Sequence, residues 1–152
     1  MSHDREQPQP QPSWTSAFQP RFPRRECFIT VGATASFLSL LDQALGNAFI
    51  SALIELEYTH LTIQCGPDLA YARKIVQDQV PGAGPGIDWR NNLVWKGLKL
   101  KLFDFNKLGL GAEMKGCKGL GKGEREGVVV CHAGECSCSV ILDFMYQILV
   151  YR

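Results

Sequence analysis

Residues 27–66, CFITVGATASFLSLLDQALGNAFISALIELEYTHLTIQCG, decide the fold. Cys27-Phe28-Ile29-Thr30-Val31 is a short β-rich apolar run closed by Gly32, which predicts a buried strand. Leu38, Leu41, Leu45, Ala48, Phe49, Ala52, Leu53 and Leu56 then recur at helical spacing and predict one apolar stripe. Gly46-Asn47 divides that stripe into two helices or one kinked helix. Residues 59–65 predict a second strand, ended by Gly66-Pro67-Asp68. A strand, helices of this length and another strand make a βαβ unit, so a right-handed crossover between parallel strands is expected.

Downstream, residues 69–80 suit a helix, and Pro81-Gly82-Ala83-Gly84-Pro85-Gly86 is a loop. Residues 92–105 read as one or two strands. Leu98, Leu100 and Leu102 alternate there with Lys99 and Lys101, the pattern of a strand with one wet face. Residues 107–127 are rich in glycine and lysine and predict little regular structure. Val128-Val129-Val130-Cys131 predicts another buried strand, His132-Ala133-Gly134 a turn, 139–145 a helix and 148–151 a last short strand. The sum is an α/β protein with a Rossmann-like, mostly parallel sheet of four or five strands. Upstream, residues 1–25 are rich in Pro and Gln and are expected to be a disordered tail, leaving 26–152 as the domain.

Composition narrows the function classes. The chain has 152 residues, enough for one domain and a tail, and is 45% hydrophobic, too apolar for a wholly disordered protein. A formal net charge of +1 provides no global field to attract nucleic acid or an anionic membrane, so neither is an expected partner. No run is long and apolar enough to span a bilayer, and residues 1–12 lack the apolar stretch of a secretory signal. The six cysteines are therefore expected to be reduced thiols, with Cys27 and Cys65 acting as small buried hydrophobes. Cys131, His132, Cys136 and Cys138 are zinc-ligand types, but they lack paired Cys-x2-Cys spacing, so no metal is expected. His60, before a strand, reads as a surface or capping residue.

Two turns follow predicted strands: Gly32-Ala33-Thr34-Ala35-Ser36, and His132-Ala133-Gly134-Glu135-Cys136-Ser137. Ligands of open parallel sheets bind outside the carboxyl ends of strands, where small residues let backbone N–H groups and a helix N-terminus approach a phosphate. Both turns suit an anion such as a nucleotide diphosphate; the plain alternative is two ordinary strand-to-helix turns. Gly116-Cys117-Lys118-Gly119-Leu120-Gly121-Lys122-Gly123 nearly spells a P-loop, but Gly123 supplies no hydroxyl for Mg²⁺ and no clear strand precedes it.

Read together, residues 28–34 with Phe37, then 61–66, then Phe103-Asp104-Phe105, then 128–134 carry a resemblance. Over residues 27–151 the chain resembles the cytosolic catalytic subunit of the UDP-N-acetylglucosamine transferase of dolichol-linked oligosaccharide synthesis, a split GT-B glycosyltransferase. The resemblance implies a donor-binding half that uses UDP-GlcNAc, needs no cofactor and works with a membrane-anchored, acceptor-binding subunit. Together they would add the second GlcNAc to GlcNAc-diphosphodolichol, with this chain cytoplasmic and recruited to the cytosolic face of the endoplasmic reticulum.

Carried over by position, Gly32, Ala33 and Thr34 match the family's first glycine turn near the diphosphate. His132, Ala133 and Gly134 match its turn against the donor nucleotide, and His132 is expected to orient the donor. The family's donor-site serine falls on Ser137, or on Ser139 with two extra residues; Ile141-Leu142-Asp143 favours the second alignment and makes Asp143 the acidic member. Glu135 is a departure that sets a negative charge near the diphosphate. The family's further strand, Asn-His-Gln segment and partner-docking helix have no counterpart before Arg152, so an incomplete domain is expected. The catalytic base is not assigned. The alternative function is a non-catalytic isoform that binds a partner or nucleotide weakly without turnover.

Overall fold

The computed structural model describes residues 21–32, 34–91 and 93–131. Residues 1–20 of the tail expected over 1–25, the helix expected over 139–145 and the strand expected over 148–151 lie outside the described residues, while Arg24 and Arg25, expected in the tail, instead open the first strand because they pair with Glu124 and Arg125. Within them the chain runs β1 (Arg24–Thr30), α1 (Leu38–Ala44), α2 (Asn47–Glu55), β2 (His60–Gln64), α3 (Leu69–Gln79), β3 (Leu93–Trp95), β4 (Leu98–Phe103), α4 (Gly111–Gly116) and β5 (Glu124–Cys131). The five strands form one sheet in the order β3-β4-β2-β1-β5. β1 pairs in parallel with β2 and with β5, and β2 with β4; only β3 and β4 are antiparallel. The expected α/β, Rossmann-like sheet is therefore present.

Period-two alternation assigns the two faces of the sheet. Cys27, Ile29, Leu61, Ile63, Leu98, Leu100 and Leu102 point to one side, where they form the main core with Leu41, Leu45, Phe49, Leu53, Ala72 and Val76 of the first three helices. Phe28 and Phe103 face the other way and make a smaller cluster with Cys117 at the end of α4. From β1 the chain travels outward to β2 and β4 across the first face. It then returns across the second face, past β1, to β5. The strand order thus reverses at β1, between the carboxyl ends of β1 and β5, and in doubly wound sheets such a reversal opens a crevice.

The helix break falls where the glycine predicts it, but it does more than kink the stripe. Gly46 is extended, with φ −72° and ψ 145°, so helical phase is lost between α1 and α2. Leu38 is consequently 43% exposed and Ala48 is exposed too, while Leu40 and Ile50, outside the predicted stripe, are fully buried. Of the one or two strands expected over 92–105, two are present, β3 and β4. They join through Lys96-Gly97, whose φ values of 51° and 85° suit a tight hairpin.

The glycine- and lysine-rich stretch is more ordered than its composition predicts. It holds α4, and β5 begins at Glu124, four residues before the valine run. α4 is too short to show periodicity, and the first half of β5 is polar because it pairs with Arg24 and Arg25 rather than with core strands. Between those two halves β5 bulges: Arg25 faces Arg125 and Cys27 faces Val128, so one residue of β1 opposes two of β5. Gly127 sits in the bulge, where a Cβ would lie 1.9 Å from the Glu26 carbonyl oxygen. Gly127→Ala is expected to cost about 3 kcal/mol or more, because both clashing groups are backbone. Gly84→Ala, with nothing within 4 Å and no positive φ, should be near neutral. Urea unfolding of the two variants against the parent chain checks the contrast.

Candidate functional site

The reversal at β1 positions the first candidate site. Thr30 and Gln64 are register partners at the ends of β1 and β2, both buried, and the Thr30 hydroxyl donates to Gln64 Oε1. The Val31 N–H donates to the Gln64 carbonyl at 3.1 Å, and the Gly32 N–H reaches back to Thr30 Oγ1 at 3.3 Å. Gly32 then turns with φ +89°, a conformation that disfavours any side chain. On the other side Thr30 is the register partner of Cys131, the last described residue, so β5 ends directly beside the glycine turn.

Gly32 and Thr34 therefore lie at the reversal. Ala33 lies outside the described residues, as do His132, Ala133, Gly134, Ser137, Ser139 and Asp143. The residue that the sequence reading missed is Asp68. Its carboxylate accepts the Ser36 hydroxyl at 2.9 Å and the Phe37 N–H at 2.8 Å, immediately before α1. The partly positive start of that helix is thus already engaged by a carboxylate. The Gly-Pro-Asp triplet after β2 was the available signal, but it also reads as a plain strand terminator. Asp68→Ala should lose about 1 kcal/mol of stability by freeing both donors, while Asp68→Asn should retain part of it. Thermal unfolding of both variants measures this.

At the end of β4, Asp104 is exposed and lies 3.4 Å from the Arg90 guanidinium. The Phe105 backbone N–H holds its carboxyl below the usual carboxylate range. The P-loop-like glycines lead into β5 from α4 instead of following a strand, so they do not form a phosphate cradle of that kind. The three buried thiols among the described residues are poor nucleophiles: burial pushes Cys65 up to about 12, Cys117 to about 11 and Cys27 well above its usual range. No cluster of three metal-ligating side chains occurs among the described residues. Nor is any helix there long and apolar enough to cross a membrane.

A second polar cluster lies on the sheet face opposite the main core. Glu26, only 4% exposed, accepts the Thr62 hydroxyl at 2.7 Å and the Arg24 guanidinium at 2.9 Å. Lys101 donates to Glu113 of α4 at 3.1 Å, so the face expected to be wet is partly roofed. His60 belongs to this cluster and bonds Thr59 at 2.8 Å. Burial, then the Arg24 and Lys99 charges, lower its pKa to about 4 against the opposing pull of Glu26 and Glu124.

That shift has a defined sign. Between about 4 and 6.5 the unfolded chain binds a proton that the folded chain refuses, so stability falls as pH drops through this window. The histidine is partly solvated, which limits the loss to about 1–2 kcal/mol. Urea midpoints at pH 7 and pH 5 should differ less for His60→Gln than for the parent chain.

No protein-family model matches the chain, and no solved structure matches it significantly. The class that the architecture defines is a doubly wound, Rossmann-like α/β protein with its crevice at the β1–β5 reversal.

Proposed function

We propose that this chain is the donor-binding half of a glycosyltransferase, taking UDP-GlcNAc at the β1–β5 reversal. In this reading it transfers GlcNAc to GlcNAc-diphosphodolichol held by a membrane-anchored partner subunit, which recruits it to the cytosolic face of the endoplasmic reticulum. The observation that carries the reading is the pairing of Thr30 with Cys131, which sets the glycine turn beside the exit of β5. The two turns that resemble the family's donor site thereby begin on adjacent strands.

The proposed step needs little covalent chemistry from the chain. The acceptor hydroxyl oxygen bonds to the anomeric carbon, the bond from that carbon to the diphosphate oxygen breaks, and UDP departs with the electron pair. The hydroxyl proton passes to a base supplied by the other half. Backbone N–H groups at the Gly32 turn and the turn starting at His132 stabilise the charge that develops on the diphosphate. In this reading His132 orients the donor, and Ser137 or Ser139 and Asp143 are further donor-binding residues.

One observation favours the second reading, weak nucleotide binding without turnover. Asp68 puts a carboxylate at the start of α1, where it both uses a donor and repels a diphosphate. Two measurements separate the readings. Calorimetric titration of the full chain with UDP-GlcNAc should show binding that Gly32→Ala weakens about tenfold by straining the turn. Transfer of labelled GlcNAc to a GlcNAc-diphospho-lipid, with the membrane subunit co-expressed, should exceed transfer by that subunit alone. Binding without transfer supports the second reading, and the absence of both overturns the donor-site assignment.

A further inference from the structure

The second sheet face holds a cavity of about 290 Å³ that the proposed donor site does not use. It lies over the first halves of β1, β2 and β4, with α4 along one wall, away from the Gly32 turn. Its charged lining is Arg24, Arg90, Lys99 and Lys101 against Glu26 and Glu113, four cations to two carboxylates. Three of the cations are already engaged: Arg24 by Glu26, Lys101 by Glu113 and Arg90 by Asp104. The Lys99 ammonium has no carboxylate or hydrogen-bond partner among the described residues.

Glu113 supplies the second, independent observation. It is 7% exposed, its Oε1 takes Lys101, and its Oε2 is buried with no donor. A desolvated carboxylate oxygen without a donor is a cost that a bound donor group would remove. An uncommitted ammonium and an unsatisfied carboxylate oxygen thus border one concave space. A metal cation fits this lining poorly, because cations outnumber carboxylates and each carboxylate already holds a cation. A bare anion would satisfy Lys99 but leave Glu113 Oε2 as it is.

We infer that this cavity binds a small hydroxylated oxyanion, either a phosphomonoester or a carboxylate that carries a free hydroxyl. The oxyanion sits against Lys99 and Arg24, and the ligand hydroxyl donates to Glu113 Oε2. His60 reports occupancy, since it faces Arg24 and Glu26 of β1, Lys99 of β4 and Glu124 of β5. Burial and the Arg24 and Lys99 charges together hold its ring neutral; a bound anion offsets the two charges, so its titration moves upward on binding.

The test is a titration of the full chain with sn-glycerol 3-phosphate, D-glycerate, glycerol and inorganic phosphate, followed by calorimetry and the His60 ring proton resonances. One of the two hydroxylated oxyanions should bind and raise the His60 midpoint, and which of them binds tighter identifies the headgroup. Glycerol should be silent, and inorganic phosphate should bind at least about tenfold more weakly than glycerol 3-phosphate if the phosphomonoester is preferred. Lys99→Met, which keeps the apolar stem and should fold normally, should weaken binding about tenfold. Glu113→Gln should narrow the gap between the hydroxylated ligand and its bare counterpart. If neither hydroxylated oxyanion binds the folded chain, or if Lys99→Met binds as tightly as the parent, the inference fails. Binding elsewhere, for example at the Gly32 turn, would leave the His60 midpoint unmoved and overturn it equally.

Discussion

β1 is paired along both edges and packed on both faces, and the rest of the molecule is arranged around it. Its odd-numbered residues Cys27 and Ile29 enter the main core, while Phe28 enters the smaller one. Its backbone groups are shared between β2 and β5. The β5 pairing survives only because Gly127 lets two backbones approach within a distance that no side chain allows. The bulge there brings Val128, Val129 and Val130 level with Cys27, Phe28 and Ile29. It also sets the exit of β5 beside the exit of β1, and the reversal of strand order there makes the crevice.

The two faces of the sheet are built on different physics. The first is dry and aliphatic, and its stability comes from apolar area removed from water. The second mixes a small aromatic cluster with buried carboxylates, which persist only because Glu26 and Glu113 are each paired with a cation and Glu26 also with a hydroxyl. Such polar networks rarely add much net stability over an apolar core of the same shape. Their presence on one face gives that face chemistry that the other lacks.

The crevice itself is a contest between backbone donors and carboxylates. The Gly32 turn has the conformation and the small residues that a phosphate needs. Asp68 and Asp104 bring negative charge to the same edge, partly offset by Arg90. Asp68 has a structural role, since it ties the Gly66–Asp68 turn after β2 to the residues that precede α1.

Local pattern made the strands at β1, β2 and β4 and the helices at α1, α2 and α3 legible. Each of these rests on short-range periodicity or on a glycine or proline terminator, which residues near in sequence decide. The glycine turn after β1 was legible for the same reason. What local pattern did not carry was everything that depends on a distant partner. α4 is a six-residue helix held by the sheet it covers, and the polar start of β5 is a strand only because Arg24 and Arg25 pair with it. Asp68 became a site residue because a turn after β2 meets the loop after β1, 31 residues away in sequence. The cavity beneath α4 likewise joins Lys99 to Glu113 through folding alone. By itself the sequence determined the strands β1, β2 and β4 and the helices α1, α2 and α3, because backbone propensity and side-chain period act over a few residues. Only the tertiary structure decided the strand order, the reversal at β1 and the company each charge keeps, because those follow from contacts between residues tens of positions apart.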